Sequence, residues 1–222
     1  MISRRDKGKN LYNNGDYEEA VKALLAIDAV YEEDPETAYY LGLCYTQLGN
    51  FEEAERFFDL VIRYDIHILR VFQSSMVLSY LYSITERYDQ AINLILQVID
   101  EGFESAQIYS TLAYCCYGSG NLSRALDYLE KAMELEPDNP NSLNSYGFIL
   151  AEEGKSTRSA VDFCLKALEK NPEYGAYLDS VGWAYYKDGN IVEAIRFLRR
   201  AKEVWPDDED IASHLKTVES RF

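Results

Sequence analysis

Small and apolar residues return along this chain at an interval of 34 residues. Gly15-Asp16-Tyr17 and Gly49-Asn50-Phe51 stand that far apart, and Glu-Glu-Ala follows each. Anchored on this turn, the chain divides into units 1–34, 35–68, 72–105, 106–139, 140–174 and 175–208, with a tail over 209–222. Two irregularities interrupt the spacing: three extra residues at 69–71 and one extra in the turn after Gly154. A repeat of this length describes stacked copies of one supersecondary element, each burying its apolar face against the next.

Within a unit the pattern predicts two helices. The eighth position is small throughout (Gly8, Gly42, Ser79, Ala113, Gly147, Gly182), where one helix approaches another closely. After allowance for the inserted residue, the twentieth is always alanine: Ala20, Ala54, Ala91, Ala125, Ala160 and Ala194. Larger apolar residues (Leu41, Tyr45, Leu78, Tyr82, Leu112, Val181, Tyr185) lie three or four positions from the small ones, the period of an amphipathic helix. Between the helices, Gly15, Gly49, Gly120, Gly154 and Gly189 suit a left-handed helix end, and Asp16, Asn50, Asn121 and Asn190 are expected to cap the next helix. The third unit breaks this rule with Glu86-Arg87. In the tail, Ile211, Leu215, Val218 and Phe222 form one stripe, acidic residues 207–210 stand at its start, and Lys216 and Arg221 near its end match the helix dipole. A terminal helix packed on the sixth unit is predicted.

This arrangement resembles the tetratricopeptide repeat family. Val181-Gly182, Tyr185, Gly189, Ala194, Leu198, Ala201 and Pro206 fall at the family's offsets, and six units in register carry the likeness over residues 1–208. The closing proline is present only as Pro137, Pro172 and Pro206, and the first unit has Arg4 and Lys7 where large apolar residues belong. The resemblance implies an all-α fold, a single right-handed superhelical α-solenoid of antiparallel helix pairs over 1–222, with a capping helix at 209–222.

Composition narrows the function. Of 222 residues, 47% are hydrophobic and 14% aromatic, too rich in rings for a disordered acidic tail, and 38 acidic against 22 basic side chains leave a net charge of −16. That charge lacks the basic footprint of a nucleic-acid partner and is repelled by anionic lipid. No run of about 18 apolar residues is present for membrane insertion, and the opening Met1 to Lys7 lacks a signal peptide's apolar stretch. A cytoplasmic location is expected. An exported or periplasmic one is the alternative if an N-terminal signal has been removed. Four cysteines without disulfide-framework spacing (Cys44, Cys115, Cys116, Cys164) also favour a reducing compartment.

Catalytic machinery is not expected. The two histidines, His67 and His214, are far apart, with His67 placed in an irregular connection near residue 69 and His214 on the polar side of the tail helix. Cys115-Cys116 lacks the spacer of a zinc knuckle and reads as small apolar packing. Gly154-Lys155-Ser156 lacks the earlier glycine of a phosphate loop, with Ile149 in its place, and Gly118-Ser119-Gly120 lacks the third glycine of a dinucleotide fingerprint. No cofactor or metal is expected.

In the family the first helix of each unit lines a concave groove. The resemblance implies groove-facing second, fifth, sixth, ninth, twelfth and thirteenth positions. The ninth runs Lys9, Leu43, Tyr80, Tyr114, Phe148 and Trp183, and Tyr39, Tyr40, Tyr117 and Tyr186 extend this aromatic row. Rings give large contact area at low entropic cost, although a ring at helical spacing also serves as packing between helices. Gln107, Asn141 and Asn144 stand beside the row as candidates to hold a peptide backbone. The chaperone-cofactor clamp, which grips an acidic carboxyl terminus, is incomplete: Arg5 and Lys9 begin it, but Tyr40, Gln73 and Val77 do not complete it.

The leading expectation is a non-catalytic scaffold that binds a peptide segment or partner helix through these rings. One alternative is a self-associating assembly protein that forms homo-oligomers through its N-terminal unit or the irregular segment Ile68-Leu69-Arg70-Val71. The other is a small-ligand-binding component of an envelope system.

Overall fold

The computed structural model describes residues 3–27 and 30–221. Two compact units divide the chain, Met1–Phe103 and Glu104–Phe222.

The first unit holds α1 (Arg4–Asn13), α2 (Tyr17–Leu25), α3 (Pro35–Gln47), α4 (Phe51–Tyr64), α5 (Ile68–Ile84) and α6 (Tyr88–Asp100). The second holds α7 (Ala106–Gly118), α8 (Leu122–Leu135), α9 (Pro140–Glu153), α10 (Thr157–Lys170), α11 (Gly175–Lys187), α12 (Ile191–Val204) and α13 (Glu209–Glu219). No strand is present among the described residues. Each odd-numbered helix up to α11 pairs with its successor, as the 34-residue pattern predicts, and the six alanines at the twentieth position are fully buried or nearly so.

Close approach explains the small eighth position. A Cβ on Gly42 would come within 2.8 Å of the Phe58 ring. On Gly147 it would stand 2.8 Å from the Ala160 carbonyl oxygen and 2.9 Å from the Cys164 nitrogen, both main-chain atoms that cannot rotate aside. These contacts let α3 settle on α4 and α9 on α10, and the larger apolar residues fill in around them. In the first unit Leu24, Leu41, Cys44, Phe57 and Val61 form a continuous core.

The first irregularity is absorbed by helix rather than by loop. Residues 68–71, expected as an irregular connection, are the first turn of α5, which is 17 residues long. Three extra residues are nearly one helical turn, so the face that follows keeps its direction. The extra residue lies in the turn after Gly154, as expected: Lys155 and Ser156 separate this left-handed glycine from α10, whereas Asn50 alone separates Gly49 from α4. His67 is the exposed residue immediately before α5.

The turns keep one conformation across a change of residue. Gly49 and Gly154 have φ of 72° and 73°, and Glu86, the exception in sequence, has φ of 59°. The third turn is therefore left-handed like the others, at a steric cost that a side chain incurs and glycine does not. Asn50, Asn121 and Asn190 accept the predicted capping bonds from Glu53, Arg124 and Glu193. Asp16 makes no side-chain cap bond, contrary to expectation. Arg87, in the cap place of the third unit, gives up that role for an ion pair: its guanidinium lies 2.6 Å from Glu55 and 4.1 Å from the Tyr82 ring centre.

The tail forms α13, which packs on α12 and α11 as predicted. Ile211 and Val218 are buried, Leu215 is half-buried, and Asp208 caps the helix by accepting from the Ile211 N–H at 3.0 Å. Phe222, the last residue of the expected stripe, lies outside the described residues.

Candidate partner-binding groove

The inner helices of the second unit are α7, α9 and α11, and the repeat register places their fifth, ninth and twelfth residues on one side. There they surround a cavity of about 300 Å³. Tyr114 and Tyr117 come from α7, Asn144 and Phe148 from α9, and Asp179 from α11. Tyr114 is 53% exposed, and the Tyr117 and Phe148 rings meet edge to face at 6.0 Å.

The fourth wall is the terminal helix. Asp208, Asp210 and Ile211 line the same cavity, and His214, one turn along, is half-buried against its lining residue Asp179. The His214 ring stacks on Trp183 at 4.1 Å between centres and lies 6.2 Å from Phe148. Its Nδ1 is 2.9 Å and 3.0 Å from the two carboxylate oxygens of Asp179, which is 8% exposed. The expectation of a polar-face histidine was therefore wrong. Continuing the 34-residue numbering past 208 puts Asp210 at the second position and His214 at the sixth of a seventh unit, both groove-facing. That signal is present in the sequence, overlaid by the apolar stripe that packs the tail on α12.

The other expected residues are distributed as follows. Trp183 donates its indole N–H to Glu152, whose carboxylate also lies 3.0 Å from the Lys187 ammonium, and Tyr186 packs 5.0 Å from Trp183. The Asn141 side-chain amide oxygen accepts from the Tyr177 hydroxyl, an interaction within the helix stack. Gln107 is exposed, with a 3.4 Å contact to Thr111 on its own helix. The Asn144 side-chain oxygen is buried and has no hydrogen-bond partner among the described residues. Burial, and then the Glu152 and Asp210 carboxylates, push the Tyr117 phenol above its ordinary pKa.

Tyr39 and Tyr80 belong to the first unit. Tyr39 donates to Gln73 at 3.1 Å and packs against Tyr40 and Phe58, while Tyr80 is 56% exposed. The groove cations of this unit are already held. Arg5 lies 2.8 Å from Asp34 and 3.3 Å from Glu36, Lys9 also bonds Glu36, and Arg70 pairs with Asp65. Tyr40 lies under Lys9 and against Tyr12.

No group of three or more His, Cys, Asp or Glu among the described residues is arranged to hold a metal ion. All four cysteines are buried, and burial pushes the Cys44 and Cys115 thiols up to about 11, away from thiolate chemistry. No helix among the described residues is long and apolar enough to cross a membrane.

Models of the tetratricopeptide repeat match residues 5–65, 106–139 and 128–159. The TPR repeat-containing protein PA4667 of Pseudomonas aeruginosa is 34% identical over 123 residues, covering 54% of this chain and 21% of that protein. This chain spans between about a fifth and two fifths of the length of the curated relatives it matches. Among solved structures, YrrB, described as a TPR protein with an unusual peptide-binding site, has 21% identity and a TM-score of 0.63 over 84% of this chain and 95% of its own. Pseudomonas aeruginosa pilF has 13% identity and a TM-score of 0.74 over 99% and 96%.

Proposed function

Because the chain belongs to the tetratricopeptide repeat family, whose fold is typically a non-catalytic protein-interaction scaffold, we propose that it binds a peptide segment of a partner protein in the groove of its second unit. The observation that carries this reading is the cavity walled by Tyr114, Tyr117 and Phe148, rings standing on rigid helices with Tyr114 more than half exposed. A contiguous aromatic surface of this kind is unusual without a ligand, and Tyr and Trp concentrate binding energy at interfaces. YrrB carries a peptide-binding site on the same fold. Trp183 acts mainly from behind, holding His214 in place, so Tyr114 and Phe148 are the anchors to test.

Affinity capture with the wild-type chain and with Tyr114→Ala/Phe148→Ala, followed by titration of the purified captured protein, tests the site. Loss of two anchors is expected to weaken binding by about 2 kcal/mol or more while helix content stays unchanged. Equal affinity for both forms places binding elsewhere. An acidic C-terminal peptide is not an expected ligand, since Arg5 and Lys9 are already held by Asp34 and Glu36.

A second reading is self-association through the first unit. It is supported by Ile66 at 91%, Ile68 at 57% and Leu69 at 60% exposure, three apolar side chains clustered at the start of α5. A mass in light scattering that stays monomeric at every concentration removes it.

A further inference from the structure

We infer that the segment bound in the second unit's groove presents an arginine side chain, whose guanidinium lies between the tyrosine rings and the carboxylates of α11 and α13; this rests on the groove-binding reading above. Three carboxylates line the cavity, Asp179, Asp208 and Asp210, and no lysine or arginine lines it. Asp179 is held by His214 and Asp208 caps α13, whereas Asp210 is exposed and has no ion pair among the described residues. Lys187, the cation of α11, is engaged by Glu152. The cavity therefore has an uncompensated negative side.

Its remaining walls favour the same kind of ligand. Tyr114, Tyr117 and Phe148 offer ring faces, which attract cations through their quadrupoles. The side-chain oxygen of Asn144, itself a lining residue, is buried and has no donor among the described residues. Carboxylate, carbonyl oxygen and aromatic face together make a site rich in acceptors and poor in donors. A guanidinium answers it better than an ammonium, because it is planar, stacks on rings and carries five donors in a fixed fork. At about 300 Å³ the cavity is at the small end of ligand-sized pockets, suited to one long side chain and the adjoining main chain. The first unit offers no equivalent, since its groove carboxylate Glu36 is saturated by Arg5, Lys9 and Arg70.

Four acetylated, amidated pentapeptides test this, Ala-Leu-X-Leu-Ala with X as arginine, citrulline, lysine or glutamate. They are titrated into the full chain and followed by amide and indole NMR shifts, with Trp205 as a reporter in the cavity wall. The arginine peptide is expected to bind about tenfold more tightly than its neutral citrulline isostere. Asp210→Asn is expected to remove most of that difference and leave the citrulline affinity unchanged. Asp162→Asn, the same charge change at an exposed site on α10, is expected to have little effect.

Equal affinity for arginine and citrulline overturns the inference, and if Tyr114→Ala abolishes both, the groove itself still stands. Equal loss in Asp210→Asn and Asp162→Asn also overturns it, since the attraction then comes from the net charge of −16. Shifts mapping outside the second unit's groove overturn it too, as does the absence of binding by any of the four. In that last case the groove reading is decided by the capture experiment alone.

Discussion

The two units are assembled from the same helix pair, yet their inner helices treat polar capacity in opposite ways. In the first, Arg5, Lys9 and Arg70 converge on Asp34, Glu36 and Asp65, so donors and acceptors satisfy one another. In the second, rings stand at the ninth position where the first unit begins with Lys9, Asp210 has no ion pair and the Asn144 oxygen no donor among the described residues, and a cavity remains. Ion pairs in partly exposed positions add little stability. The network leaves the first unit's groove cations paired, and the unmatched acceptors of the second unit are what the proposed partner would meet.

The sharpest way to break the comparison is through packing. Gly147→Ala drives a Cβ into main-chain atoms of α10, while Gly8→Ala meets the Leu24 side chain, which has rotamers to try. Gly147→Ala is expected to cost about 1–3 kcal/mol and Gly8→Ala less, measured by urea unfolding with hydrogen exchange to locate the loss. If hydrogen exchange after Gly147→Ala loosens α1–α6 as much as α7–α13, the two units unfold as one.

Next is the third turn. Glu86→Gly relieves a left-handed backbone with a side chain, and despite glycine's greater freedom when unfolded it is expected to stabilise the first unit by about 1 kcal/mol. No gain in the thermal midpoint would mean that the turn is not strained.

The smallest expected effect tests the ion network. Glu36→Gln should cost under about 1 kcal/mol, less still in high salt, because the side chains involved are solvent-accessible. Acid should find the same weakness. Burial raises the Asp34 carboxyl, but hydrogen bonds from Thr37 and Arg5 outweigh it and hold the pKa below the ordinary value, and Asp65 is lowered similarly by Arg70 and the His67 N–H. A lowered folded pKa means that the unfolded chain binds more protons. The stability these groups lend is complete above the unfolded value of about 3.9 and fades as pH falls through the folded ones. Hydrogen exchange below pH 4 should therefore rise first in α1, α3 and α5.

Much of the fold was legible in the sequence because the constraint repeats: a small residue at the eighth position and alanine at the twentieth recur until no alternative register fits. What escaped was local or depended on the seventh register. Residues 68–71 read as irregular because an insertion close to one turn cannot be told from a loop by spacing alone. Glu86 stood out as a broken turn, yet the flanking helices impose the same backbone there. At the site, the rings of α7 and α9 came from the register, whereas the Tyr177 hydroxyl on Asn141 and the His214 ring on Trp183 needed coordinates, since each joins residues more than 30 positions apart.

The dual position of α13 has a practical consequence. One face of this helix packs Val218 and Leu215 against α12, and Asp210 and Ile211 line the cavity in which we propose that a partner binds. Core packing and a wall of the cavity are thus assigned to one element of 11 residues. On the proposed groove reading, a tag, fusion partner or proteolytic cut that lifts this helix is expected to alter the cavity wall as well as the packing of α12, so a label placed after it needs comparison with one placed elsewhere.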